Sequence, residues 1–155
     1  MWYNRDMRND FLLNWEYEGV VLESHFRLRE FEDEDGLVVI DPGLVQSLEL
    51  LRRDLSRFYS KDVQIVITSG TRTEADNEKL AERLGWCENG GQVARDSKHL
   101  PKYGGIAVDM YARYREGAIW AVVPQTTLGS ACLVHFAYVK ADYPDGHVHA
   151  DNRSW

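Results

Sequence analysis

The stretch "DGHVHAD", residues 145–151, places two of the chain's five histidines and an aspartate on alternate positions. Successive side chains of an extended strand point to opposite faces, so the pattern predicts that His147, His149 and Asp151 project from one side of a strand. Such a one-sided polar strand indicates a site built on the face of a sheet.

Three segments before this stretch are also predicted to be strands. "VQIVIT" (63–68), "IAVDMYA" (106–112) and "CLVHFAYVK" (132–140) have the apolar and β-branched content that is typical of buried strands. A turn at "YPDG" (143–146) leads into the final strand. The later strands follow one another with no helix between them, which favours an antiparallel arrangement over a doubly wound sheet.

Two main helices are predicted, both in the first part of the chain. Apolar residues recur at helical spacing over 43–59, after Asp41 as N-cap and Pro42 at the first helical position. A second helix, 73–84, is predicted to begin at Thr73 and to stop at Gly85. The predicted fold class is therefore α+β, with an antiparallel sheet that carries the site and two main helices packed on it.

Length and composition predict one domain spanning 1–155. We expect the protein to be a monomer. The formal net charge of −7 and the lack of a clustered Lys/Arg stripe argue against a nucleic-acid partner. No apolar run approaches the roughly 20 residues needed to span a bilayer, so we expect no membrane insertion. The N-terminal "MWYNRDMRND" lacks the features of a secretory signal, which predicts a protein that is cytoplasmic as synthesised.

Candidate chemistry comes from three segments that lie far apart in the sequence: 69–77, 97–109 and 147–151. Two imidazoles and a carboxylate from them would make a three-ligand zinc site with the fourth position open to water, whose pKa falls to about 7 there. Asp109 interrupts an apolar strand, where an unpaired charge would be costly. Taken singly, however, a His-x-His pair or a histidine in a polar loop such as His99 is common without a metal.

The motifs occur in a characteristic order. Ser-Gly-x-Arg is followed by Asn77, then by Ser-x-His and a glycine-preceded Ala-Val-Asp, and finally by His-x-His with Asp and Arg after it. This order resembles the zinc D-alanyl-D-alanine carboxypeptidase family, in the superfamily that also contains lysostaphin-type endopeptidases and the hedgehog signalling domain. With upstream segments that are similar to those of phage and bacterial peptidoglycan peptidases, the resemblance covers about 25–153.

The resemblance implies a role for each matching residue. His99, Asp109 and His149 would bind one zinc ion, and Arg72 would bind the substrate carboxylate or the oxyanion. The resemblance also makes His147 the catalytic base or a donor to the tetrahedral intermediate. The substrate that it implies is a peptidoglycan stem peptide, cut either at a terminal D-alanine or at an internal bond.

Two departures from the family pattern bear on catalysis. Nine residues separate His99 from Asp109, a longer interval than usual, with "PKY" (101–103) resembling an insertion. Many relatives carry Glu or Asp three residues before the last ligand, where this chain has Gly146, and Asp145 is one residue away. The general base is therefore either His147 or Asp145, and we favour His147 because it alternates with His149.

These features together predict a zinc-dependent peptidoglycan peptidase, either a carboxypeptidase or an endopeptidase. With no export signal, it would reach the cell wall after release, as a phage or prophage lysis enzyme, or as a virion component. One alternative is a zinc-stabilised module that recognises peptidoglycan or builds a virion without cutting. A weaker alternative is a zinc amidase or esterase for small cytosolic substrates.

Overall fold

A computed structural model describes residues 9–155, and within that range it contains seven strands and three α-helices. The segment in which we find no secretory signal lies largely outside the described residues. In chain order the elements are β1 (Leu12–Tyr17), β2 (Val20–Arg27), α1 (Pro42–Tyr59), β3 (Gln64–Ser69), α2 (Glu74–Leu84), β4 (Ala107–Glu116), β5 (Ile119–Val122), α3 (Gln125–Cys132), β6 (Tyr138–Lys140) and β7 (Val148–Asp151).

The strands form two antiparallel sheets, so the predicted α+β class is confirmed. β1 and β2 make a hairpin of their own. The larger sheet has the order β3-β4-β7-β6, and β5 pairs with the distal half of β4, beyond the part that pairs with β7. β4 is therefore the central strand of the sheet that carries the candidate residues.

The sheet has one apolar face and one polar face. Val108, Met110 and Val148 are fully buried and join the hydrophobic core with residues of α1 and α3, including Leu48. Asp109 and His149 alternate with these core residues, so their side chains point to the opposite face. The candidate site is thus placed on a rigid strand pair whose other face is held by the core.

Both predicted helices are present, with the predicted caps. The Asp41 side chain accepts a hydrogen bond from the Gly43 N–H at the start of α1, and the Thr73 hydroxyl accepts one from the Asp76 N–H at the start of α2. α1 packs into the core, whereas α2 borders the polar face of the sheet.

The prediction of only two main helices was incomplete, and the prediction of a strand over 132–140 was wrong in its first half. α3 ends at Cys132, and only Tyr138–Lys140 forms a strand. Leu128 and Cys132 are one helical turn apart and fully or almost fully buried, whereas Leu133 and Val134 are exposed. Helical packing of the buried pair thus overrides the β-propensity of the residues that follow.

Within residues 9–155, no helix combines the length and the apolar character required to cross a bilayer.

Candidate metal centre

Strand register brings Asp109 and His149 together. They are direct partners in the antiparallel pair of β4 and β7, and side chains of directly opposed residues lie on the same face. Ser69 at the end of β3 is the partner of Asp109 on its other side, and Lys140 of β6 is the partner of His149. A row of four side chains, Ser69, Asp109, His149 and Lys140, therefore crosses the polar face of the sheet.

His99 reaches this row from the loop between α2 and β4. Its Nδ1 lies 2.7 Å from the carbonyl oxygen of Gly70, just after β3, and its own carbonyl accepts a hydrogen bond from the Arg72 N–H. Gly70 is required there because a Cβ would lie 2.7 Å from the Cα of Phe31. The "SGTR" turn thus fixes both the orientation of the His99 ring and the position of Arg72.

The three predicted ligands converge on one point. His99 Nε2 lies 3.1 Å from Asp109 Oδ1 and 3.2 Å from His149 Nδ1, and His149 Nδ1 lies 2.9 Å from the same Asp109 oxygen. One donor atom from each residue lies within 4.8 Å of the other two, an arrangement that could hold a metal ion. All three residues are more than 90% buried.

Each of the two ligand histidines has an inner ring nitrogen, which faces the other candidate ligands, and an outer one on the opposite side of the ring. The outer nitrogen of each ring lies within hydrogen-bond distance of an acceptor. His149 Nε2 lies 2.7 Å from Asp151 Oδ2, and His99 Nδ1 faces the Gly70 carbonyl. Because a carbonyl and an ionised carboxylate can only accept, these outer nitrogens must carry the protons. The inner nitrogens are then free to offer lone pairs to a metal, which is the usual tautomer of ligating histidines.

Asp151 is in turn held by Arg153. The carboxylate is fully buried and accepts two hydrogen bonds from the guanidinium, at 2.7 Å from Nε and 2.5 Å from Nη2. Burial would raise the pKa of Asp151, but the hydrogen bonds from Arg153 and His149 outweigh it and lower the pKa. Asp151 therefore stays ionised behind His149 and fixes the orientation of that ring.

Burial and mutual contacts shift the pKa values of the three residues. Burial lowers the pKa of His99 and keeps its ring neutral. At His149 burial acts in the same direction, but hydrogen bonds to Asp109 and Asp151 outweigh it and raise the pKa. Burial would raise the pKa of Asp109, yet the two histidines hold it well below its ordinary value.

A single proton cannot satisfy the three inner atoms. If His149 donates from Nδ1, its one proton is shared between Asp109 Oδ1 at 2.9 Å and His99 Nε2 at 3.2 Å, and the Asp109 oxygen beside His99 Nε2 can only accept. Unpaired acceptors inside a buried cluster cost free energy. A metal ion between the three atoms would satisfy all of them at once.

Arg72 lies beside the carboxylate of Asp109. Its Nη2 is 3.3 Å from Asp109 Oδ2, the oxygen that faces away from His99 and His149, and 3.1 Å from the hydroxyl of Ser69. Its Nη1 is 3.4 Å from the side-chain oxygen of Asn77, whose amide nitrogen is tied to the Ala94 carbonyl. The guanidinium is thus held in one orientation at the edge of the centre.

His147 lies just before β7 at the mouth of the centre. Its Nε2 is 3.8 Å from Asp109 Oδ2, and its Nδ1 is 2.5 Å from Asp145 Oδ1. Tyr143 stacks on the His147 ring with the two centroids 4.0 Å apart. Hydrogen bonding on one side and stacking on one face therefore direct Nε2 of His147 towards the centre.

The three candidate ligands, Arg72 and His147 line a cleft of about 250 Å³. One wall comes from α2 and the loop after it, through Leu80, Leu84 and Lys98. The opposite wall comes from β6 and the turn after it, through Lys140 and Tyr143. The candidate metal centre is therefore at the base of a cleft that a small ligand or an extended peptide could enter.

All the residues that the sequence singled out for chemistry lie at this cleft or contact a residue that does. His99, Asp109 and His149 form the centre, while Arg72, His147 and Asp145 lie around it. Sequence reasoning missed the Gly70 carbonyl, Lys140 and Tyr143. Lys140 ends a segment that was predicted to be a strand, but the register that places Lys140 beside His149 carries no sequence signal.

The two departures from the family pattern have clear local structures. Pro101–Tyr103 forms one turn of 3-10 helix after the buried Leu100, and Gly104 ends the turn at φ 80°. The turn takes up the additional residues while His99 and Asp109 still meet. Gly146 adopts φ 86° in the turn before β7, a conformation that an acidic residue would rarely adopt.

Compared with known proteins, the chain matches no family model and no curated protein.

Proposed function

We propose that this chain is a zinc-dependent peptidase that hydrolyses peptidoglycan stem peptides. The observation that supports this most is the convergence of three buried acceptor atoms from His99, Asp109 and His149 at the base of an open cleft. Two histidines and a carboxylate are a common ligand set for catalytic zinc. Tetrahedral bonds of about 2.0–2.1 Å place ligand atoms about 3.3 Å apart, close to the spacing of these three atoms.

Zinc bound by these residues would supply Lewis-acid activation of water and of the scissile carbonyl. The chain's own residues would supply the remaining functions. His147 accepts the proton of the attacking water at Nε2 and passes it to the leaving amine. Arg72 binds the oxyanion or a carboxylate of the substrate with its fixed guanidinium.

The hydrogen bond between His147 and Asp145 supports a division of roles between them. Asp145 lies on the Nδ1 side of the ring, away from the centre, and 70% of its side chain is exposed. A carboxylate in that position keeps the proton on Nδ1, so the lone pair of Nε2 faces the cleft. In this proposal His147 is the general base and Asp145 orients it.

The substrate class and the setting come from the motif resemblance. It favours a monomeric enzyme that trims a terminal D-alanine or cuts an internal stem-peptide bond. The upstream similarity to phage and bacterial peptidoglycan peptidases makes a phage or prophage lysis enzyme, or a peptidase carried in a virion, part of the proposal.

The test uses zinc-loaded protein with purified peptidoglycan and with a soluble stem pentapeptide, each with and without a chelator. Mass spectrometry identifies the products. We expect chelator-sensitive cleavage, with released D-alanine marking a carboxypeptidase and internal fragments an endopeptidase. If the metal binds tightly and neither substrate is cut, the peptidase proposal is wrong.

Gly146, which stands where many relatives carry an acid, favours a second candidate function. A non-catalytic module would bind zinc for stability and would recognise peptidoglycan or a virion partner without cutting. Such a module should lose thermal stability on chelation and should still sediment with peptidoglycan when zinc is bound.

A further inference from the structure

The charge of the cleft is opposite to that of the chain. The whole sequence has 18 Lys and Arg against 25 Asp and Glu. The cleft is lined by four basic residues, Arg72, Lys98, Lys140 and Arg153, and by two acidic ones, Asp96 and Asp109. An excess of one sign of charge in a cleft concentrates ligands of the other sign. The ligand of this cleft should therefore be anionic.

The basic residues differ in how far they are already neutralised. Arg153 binds Asp151 through two hydrogen bonds, and Lys98 lies 3.2 Å from Asp96 and over the ring of Tyr103. The nearest carboxylate to Lys140 is that of Asp142, at 3.8 Å, and the Asp142 side chain is 78% exposed. Lys140 is therefore more readily available to a ligand carboxylate than Arg153 or Lys98.

Lys140 and Arg72 lie at opposite ends of the row that crosses the sheet. Arg72 bonds to Ser69 at one end, Asp109 and His149 are in the middle, and Lys140 is the partner of His149 at the other end. Neighbouring strands are about 4.8 Å apart, so the outer two strands are separated by about 14 Å. An extended peptide of about four residues covers that distance.

The side chain of Lys140 extends along the cleft wall that also carries the proposed base. Its Nζ lies 5.0 Å from the centre of the Tyr143 ring, and Tyr143 stacks on His147. The side chain of Lys140 is 41% exposed, so its ammonium group can meet a ligand without a rearrangement of the core. One basic group is thus available on each side of the metal centre.

We propose that Lys140 binds a second carboxylate of the substrate, so that the site selects peptides with an anionic group on each side of the bond that is cut. Arg72 binds one carboxylate and Lys140 binds the other, at a separation of up to about four residues. This inference rests on the proposed function for its substrate class. It adds a specificity residue and a charge requirement.

The test compares three peptides: a soluble stem peptide with free carboxylates at the glutamyl residue and the C-terminus, and its two mono-amides. Binding to the zinc-loaded protein is measured by calorimetry, and cleavage is followed separately as KM and kcat. We expect the wild-type protein to bind the diacid about tenfold more tightly than either amide. Lys140→Met should lose the preference over one amide only, raising KM more than it changes kcat.

Two control variants, and the pattern of loss in Lys140→Met, separate charge recognition from a structural effect. Lys140→Arg should keep the preference, because it keeps the charge. Lys140→Met keeps an unbranched side chain and removes only the charge, so a loss that affects all three peptides equally would overturn the inference. Lys61→Met removes an exposed lysine that lies beside Glu116, outside the cleft lining, and should leave every binding constant unchanged.

The binding measurement tests the role of Lys140, and the cleavage measurement tests the proposed function. Selective binding of the diacid with no cleavage would contradict the proposed function but support the role of Lys140. If the wild-type protein binds the diacid no more tightly than its amides, the inference is overturned, whether or not any peptide is cut.

Discussion

Two histidines of this protein, His149 and His135, are each paired with an aspartate through one ring nitrogen. His149 Nε2 lies 2.7 Å from Asp151, and His135 Nε2 lies 2.6 Å from Asp54. Asp151 is fully buried, whereas 38% of the Asp54 side chain is exposed. The two pairs are thus similar in contact distance and different in surroundings.

The second nitrogen of each ring explains the difference in chemistry. Nδ1 of His149 faces Asp109 and His99, and the three residues form a group that could hold a metal ion. His135 belongs to no such group within the described part of the chain, and its aspartate comes from α1. In this protein, a His–Asp pair belongs to the candidate metal centre where the second ring nitrogen of the histidine meets further ligands. The other pair only connects His135 to α1.

His149→Ala breaks the first pair at the metal centre and should have the largest effect. One of three ligands is removed, so we expect metal binding to be lost and cleavage to fall to the level of the chelated wild type. Elemental analysis and the peptidoglycan assay measure the two effects. His135→Ala is the matched control and should retain both metal and activity. If the chelated wild-type protein regains its activity with iron but not with zinc, the choice of metal is wrong.

His147→Ala sharpens the comparison, because it changes a histidine at the centre that is not a proposed ligand. Loss of a general base typically lowers the rate by about 10²–10⁴-fold. We expect a decrease in kcat in this range with unchanged metal content. Asp145→Asn, which leaves the base but weakens its orientation, should have a smaller effect. If His147→Ala sheds the metal, the assignment within the His147 and His149 pair is wrong.

Asp151→Asn tests the pair itself and should have an intermediate effect. Removal of a carboxylate that orients a ligating histidine usually lowers metal affinity by about 10–100-fold. Competition with a chromophoric chelator measures this affinity. Asp54→Asn is the matched control, with no expected change. Equal affinities for the wild type and Asp151→Asn would mean that Asp151 has only a structural role beside Arg153.

The fold could be predicted where local signals and burial agree. α1 was predicted over 43–59 and is observed over Pro42–Tyr59, because apolar spacing, an N-cap and a proline all mark the same boundary. β1, β2, β5 and α3 were not predicted. Val134 and Phe136 alternate as in a strand, but the burial of Leu128 and Cys132 against the core depends on tertiary contacts that no local pattern contains.

The candidate ligands could be selected from the sequence only through the order of several motifs. Alternation in "HVHAD" predicted a shared face for His149 and Asp151, and their contact confirms it. The His99 ring is oriented towards Asp109 and His149 by the backbone carbonyl of Gly70, and a backbone contact of this kind leaves no signal in the pattern of side chains. Strand register likewise determines that Lys140 lies beside His149, and one residue of slip would move it to the other face.

The pair of His135 and Asp54 can be tested by its contribution to stability at different pH values. Of the predicted effects, this one should be the smallest. Burial acts to raise the pKa of Asp54, but the hydrogen bond from His135 outweighs it and lowers the pKa. A carboxyl whose pKa is lowered on folding stabilises the protein above its unfolded pKa of about 4 and loses that contribution as the pH falls through the folded pKa. Because the pair is partly exposed, solvent screening limits the contribution to about 0.5 kcal/mol. We therefore expect Asp54→Asn to lower the free energy of unfolding by about this amount at pH 7, with the difference from wild type shrinking below pH 4. Urea unfolding of both proteins across this range measures it, and a difference that grows on acidification would contradict the assigned direction of the pKa shift.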